Sequence, residues 1–245
     1  MSFEVTDEAR LAERVRPPGS AAMFQRWEDL LFMHWRWEPA EIQRTLPNGL
    51  RVDTFGGTAW LGVVPFFMRG IRPAFFPAVP WLSNFLELNV RTYVTDAAGR
   101  PGVWFYSLDC NRMISVWTAR TFFHLPYQHA SMRGARSESN VHYFSRRRGA
   151  KEQSEFNYRR TAATGVAPPG SLEFFLVERY RLFASDRACV RSGRVHHHPY
   201  EISAAVVDSW STDLFSLNGF AAPGRLPDHV VYSPGVSVEV YALGD

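Results

Sequence analysis

From residue 50 to the end of the chain, apolar and polar residues alternate in short runs, and glycine or proline breaks almost every one. Alternation at period two puts successive side chains on opposite faces of an extended strand. The pattern predicts strands over 51–54, 58–69, 85–95, 102–109, 141–147, 155–162, 178–184, 188–196, 200–209 and 236–242. Residues 96–99 read as a hairpin connection, and Gly56-Gly57 as a turn. So many short strands constrain the fold to a mainly β class with a few helices. The expected form is an antiparallel, closed or half-closed β-barrel.

The helices are expected where the period lengthens. Phe24, Trp27, Leu30 and Leu31 lie at helical spacing and predict a helix over 23–31, followed by a strand over 32–37. Pro39 opens a second helix over 40–46, which Pro47-Asn48-Gly49 stops. Residues 114–123 and 171–176 read as helices, the latter capped by Ser171. The polar start, punctuated by Pro17-Pro18-Gly19, reads as a loosely tied arm over 1–20, leaving 21–245 as one domain.

Charge is unevenly placed. The net charge is +3, and the segment from Arg133 to Arg160 alone carries seven arginines and Lys151 against Glu138, Glu152 and Glu155. Lys151 is the single lysine of the chain. Cys110 and Cys189 are too few for a disulfide framework, and no CxxC pair suggests zinc. The first sixteen residues lack the apolar stretch of a signal peptide. The longest apolar run, 59–68, contains Gly62 and Pro65 and is too short to span a bilayer. The expectation is a cytoplasmic protein with no membrane partner.

Several phrases together carry a resemblance: the run from Leu46 to Phe66 with its Pro-Asn-Gly and Phe-Gly-Gly, Glu87-Leu-Asn-Val-Arg-Thr-Tyr93, 102–109, Ala119-Arg120 with Leu125-Pro-Tyr127, Glu178-Arg-Tyr180 and His198-Pro-Tyr200. Over residues 27–241 the chain resembles the YqjF-like family, a domain-of-unknown-function group in the acetoacetate decarboxylase-like superfamily. The resemblance implies an antiparallel β-barrel around a ligand cavity. It also implies a place for the Schiff-base lysine of the decarboxylases, in a motif Gly-Arg-Glu, four residues, Pro-Lys-Lys. Here the stretch reads Ala119-Arg120-Thr121, four residues, Pro126-Tyr127-Gln128, so Tyr127 stands at the lysine position. A Schiff base needs a primary amine. Lys151, in the turn-like stretch after Arg146-Arg147-Arg148, is expected to be solvated, and Schiff-base decarboxylation is not expected.

The resemblance places Glu87 at the cavity. Glu87, Asn89, Arg91 and Tyr93 share one face of their strand, which is either an ordinary solvated face or lines the interior. The candidate ligand-binding residues are Glu87, Arg91, Arg120 and Tyr127, with Glu87 and Tyr127 the candidates for acid–base work. Arg120 and Tyr127 have structural alternatives, a helix brace and a packed phenol. His196 and His198 share a strand face, but two imidazoles make a poor metal site, so neither metal nor cofactor is expected. Cys110 has no identifiable base and reads as a small buried residue. The absence of GxSxG, P-loop and GxGxxG motifs leaves serine-nucleophile and nucleotide chemistry unsupported. The expected function is a small-molecule-binding barrel, catalytic or not, for a small organic acid or similar polar metabolite. The alternative is an interaction protein using the basic hairpin over 141–160 on an acidic partner, with nucleic acid the less favoured version. The sequence leaves a homo-oligomer open.

Overall fold

The computed structural model describes residues 5–112, 125–161, 165–186 and 189–242. The strands are β1 (Met23–Trp37), β2 (Leu50–Val52), β3 (Ala59–Pro73), β4 (Phe85–Asp96), β5 (Pro101–Cys110), β6 (Tyr127–Arg136) and β7 (Asn140–Arg147). They continue as β8 (Ser154–Arg160), β9 (Gly165–Val166), β10 (Arg181–Asp186), β11 (Cys189–His196), β12 (Glu201–Ser211) and β13 (His229–Val240). The helices are α1 (Asp7–Arg14), α2 (Pro39–Thr45), α3 (Pro80–Ser83), α4 (Leu172–Val177) and α5 (Leu214–Leu217). No helix among the described residues is long and apolar enough to cross a membrane.

The strands form one sheet, and the expected all-antiparallel arrangement is corrected to a mixed one. β5 pairs antiparallel with β4 along one edge, while its other edge meets β10 and β6, both parallel. Following the pairings from β4 through β3, β1, β13, β11, β10 and β5 returns to β4. Two apolar cores lie on the two sides of β4. Phe85 and Tyr93 belong to one, with Phe66, Met68 and Val103; Leu86, Leu88 and Val90 belong to the other, with Leu61, Tyr143 and Phe156.

Three local expectations change. The helix expected over 23–31 is the first half of β1. Its pairing with β3 slips between Phe24 and Arg26 and again between Glu28 and Met33, and Asp29 takes φ +49°. The first slip carries its extra residue on β3 and the second on β1; the second resets the alternation of β1, so Trp27 and Leu30, three apart, reach the same core without a helix. β6 went unread because Gln, His, Ser, Arg and Gly make it a poor strand former on its own; β5 and β7 impose it from either side. Of the loose arm expected over 1–20, the described part from residue 5 on is tied to the rest of the protein. Thr6 caps α1, Arg10 on α1 is buried, and Glu13 pairs with Arg181 and Arg194. The α2 and α4 readings hold, and Ser171 accepts the Phe174 amide as the cap of α4. The helix expected over 114–123 lies outside the described residues.

Candidate functional site

A cavity of about 400 Å³ opens inside this sheet, and the polar face of β4 lines it. The side chains of Glu87, Asn89 and Arg91 all reach it, so the face points inward rather than to solvent. Its opposite face is spent on the second core, which fixes the orientation: turning the strand over would expose Leu86, Leu88 and Val90.

Glu87 is 3 % exposed. Tyr127, at the start of β6, donates its hydroxyl to Glu87 Oε2 at 2.8 Å. Burial pushes the Glu87 carboxyl up to about 7, opposed by the hydrogen bonds from Tyr127 and Asn89. A carboxyl poised there can give or take a proton near neutrality. Burial, and then the neighbouring Glu87, push the Tyr127 phenol well above its usual range, so it serves as a donor rather than a base. Cys110 sits across the ladder from Glu87, fully buried, and burial raises its thiol to about 12, which leaves no thiolate at neutral pH.

Arg91 is 9 % exposed and stacks over Phe32 and Tyr93. Its Nη2 donates to the Leu176 carbonyl at 2.9 Å, one of the carbonyls that the C-terminal end of α4 leaves open. Its Nε has no hydrogen-bond partner, and no carboxylate pairs with it among the described residues. The other buried arginines of the cavity wall are matched: Arg179 by Asp53 at 3.0 Å and Arg181 by Glu13 at 3.0 Å. The Asn89 Oδ1 atom is likewise buried without a partner.

A string of hydrogen bonds leads away from Arg91. Tyr93 Oη donates to the Leu176 carbonyl at 2.8 Å, which leaves it to accept from His34 Nε2, also at 2.8 Å. His34 Nδ1 then accepts from His229 Nδ1 at 3.0 Å, and His229 Nε2 lies 3.7 Å from Glu173 Oε1. Burial, and then His229, hold His34 well below the usual histidine range, so the pair is neutral. Gly62 makes room for it: a Cβ there would lie 3.1 Å from His34 Cδ2 and 3.4 Å from Arg91 Cγ.

Of the sequence candidates, Glu87, Arg91 and Tyr127 converge on the cavity. Arg120 lies outside the described residues. Asn89 could have been found from its place on the Glu87 face. Arg179 and Arg181 on the wall, and His34 behind it, could not, because only distant pairings bring them to the site. Lys151 is exposed and does not line the cavity. The histidine run separates: His197, not its neighbours, is buried, stacked 4.5 Å from Tyr180 and lowered by burial to about 4. In the basic hairpin Tyr143, Phe156 and Tyr158 are core; Arg147 pairs with Asp109, and Arg146 and Arg148 are exposed.

The sequence profile of the DUF2071 family, described as an uncharacterized conserved protein, matches residues 24–237. The protein described as "Uncharacterized protein YqjF" of Bacillus subtilis (strain 168) is 36% identical over 212 residues, covering 86% of this chain and 87% of that protein. Among solved structures, an acetoacetate decarboxylase-like enzyme from Sphingomonas wittichii RW1 has a TM-score of 0.60 at 16% identity, covering 93% of this chain and 94% of that one. Acetoacetate decarboxylase from Legionella pneumophila gives 0.63 at 9% identity, covering 100% and 98%. The enduracididine biosynthesis enzyme MppR, complexed with pyruvate, gives 0.62 at 12% identity, covering 94% and 91%. At these identities the likeness is one of fold.

Proposed function

The chain belongs to the DUF2071 family, and we propose that its strands work as a barrel around a cavity that binds an organic acid, with Arg91 taking the carboxylate and Glu87 exchanging a proton with the bound molecule. The observation that carries this reading is the buried Arg91 guanidinium with no carboxylate partner among the described residues. An unmatched buried cation is costly, and an anion arriving from solution relieves that cost. Glu87 lies four residues away on the same strand face, and with a carboxyl near 7 it holds its proton for part of the neutral population. It can therefore sit beside a bound anion without full like-charge repulsion, and it can protonate a carbon or oxygen next to the carboxylate.

The chemistry is acid–base rather than covalent. The Schiff-base route of the related fold needs an amine in the cavity, whereas Tyr127 occupies the wall and Lys151 is exposed elsewhere. Borohydride treatment in the presence of acetoacetate should leave the protein mass unchanged; an adduct on Lys151 would overturn this part of the reading. Arg91→Gln tests the anion site. Calorimetric titration with carboxylic acids should show binding to the parent chain and a loss of about a hundredfold in the variant, as expected for a buried charge-assisted contact. Unchanged affinity would remove Arg91 from the site.

A further inference from the structure

We infer that the acid this cavity takes carries an extended apolar body, a medium-chain or aryl-substituted carboxylic acid rather than a two- to four-carbon one. This rests on the organic-acid reading above and adds the shape of the rest of the ligand. Polar residues are the minority of the wall: beside the β4 face, Tyr127 and Arg179 it carries Gln25, Arg72, Ser83 and the Glu13-paired Arg181, while most of the remaining wall is hydrocarbon and aromatic ring, Leu30, Val64, Phe66, Met68, Val103 and Phe105 among them. A short acid bound at Arg91 would leave those walls against water, and about 400 Å³ is room for far more than its few atoms.

The opening supports the same conclusion. The segment leading into α3 contributes Phe76 and Val79 to the cavity wall, and α3 itself contributes Leu82. Of these, Phe76 is 64% and Val79 36% exposed, which puts them at the rim. Large apolar side chains gathered at the mouth of an apolar cavity are costly to hydrate, and a ligand tail that reaches the mouth covers them. One charged pole on the β4 face, mostly apolar walls and exposed apolar side chains at the rim describe the complement of an amphipathic acid.

The test is a homologous series from acetate to dodecanoate, with 1-decanol as the uncharged match for decanoate, measured by calorimetry and thermal shift on the full chain. Affinity should climb about threefold per methylene and level off once the chain outgrows the cavity. Phe76→Ser, an exposed rim substitution that leaves both cores intact, should weaken decanoate severalfold and leave butyrate unchanged. Decanol should bind at least about tenfold more weakly than decanoate to the parent chain, and equally with it to Arg91→Gln. Affinity flat or falling with chain length would overturn the inference and leave the anion reading standing. Length dependence with decanol equal to decanoate in the parent chain would do the reverse. No saturable response to any member would sink both.

Discussion

Asp53 and Glu87 are buried to nearly the same degree, 4 % and 3 % exposed, yet their surroundings differ completely. Asp53 receives both Nη atoms of Arg10, at 2.7 and 2.8 Å, and Nη1 of Arg179 at 3.0 Å. The two guanidiniums in turn lie over the Phe175 ring. That cluster ties α1 to the sheet and closes its charges among themselves. Glu87 has a phenol and an amide for company, no cation among the described residues, and a carboxyl displaced to about 7. Arg91, four residues along, has a carbonyl and a tyrosine hydroxyl as acceptors and no carboxylate among the described residues. A carboxylate and an arginine brought into mutual contact stabilise a fold. The same two residue types held apart across a cavity wall leave their interactions for a ligand.

The comparison can be broken hardest at Asp53. Asp53→Ala strands two guanidiniums in the interior, and the loss should be about 3–5 kcal/mol by denaturant titration. A loss under about 1 kcal/mol would mean that α1 is not held by this cluster.

Glu87→Gln should act in the opposite direction, with a pH signature. The folded chain keeps the Glu87 proton up to about pH 7, whereas the unfolded chain releases it near 4.5. Between those values the native state binds more protons, so stability falls as pH rises through the window and is flat above it with respect to this group. The amide does not ionise. The variant should match the parent below about pH 4 and exceed it by about 3 kcal/mol at about pH 8. A constant difference across the range would contradict the raised carboxyl.

The smallest effect is expected at Tyr127. Its hydrogen bond favours the ionised carboxylate, so Tyr127→Phe should move the Glu87 titration, followed by the carboxyl carbon resonance, to higher pH. The accompanying loss of stability should be about 1 kcal/mol at neutral pH. A downward shift would show that the phenol stabilises the protonated acid instead.

How much of this could be read in advance depended on how local the cause was. Alternation along 87–93 was enough to group Glu87, Asn89 and Arg91, because a strand has no other way to arrange side chains two apart. Nothing in that stretch says which face turns inward. The answer came from Leu86, Leu88 and Val90 finding Leu61, Tyr143 and Phe156 across the other side. The 23–31 segment misled because a bulge after Glu28 broke its period, and bulges are set by the partner strand as much as by the bulged one.

By itself the sequence determined the β class, the shared face of Glu87 and Arg91, and the presence of a single lysine, Lys151. Each of these follows from residue identity and near-neighbour geometry. Only the tertiary structure decided that Tyr127 meets Glu87 across forty residues, that Arg10 and Arg179 neutralise Asp53, and that Arg91 is left without a carboxylate among the described residues. Those outcomes depend on strand pairings between distant segments, including two parallel ones on a single edge of β5. Such pairings are selected by the burial of whole faces, a sum over the entire chain that no short stretch of sequence contains.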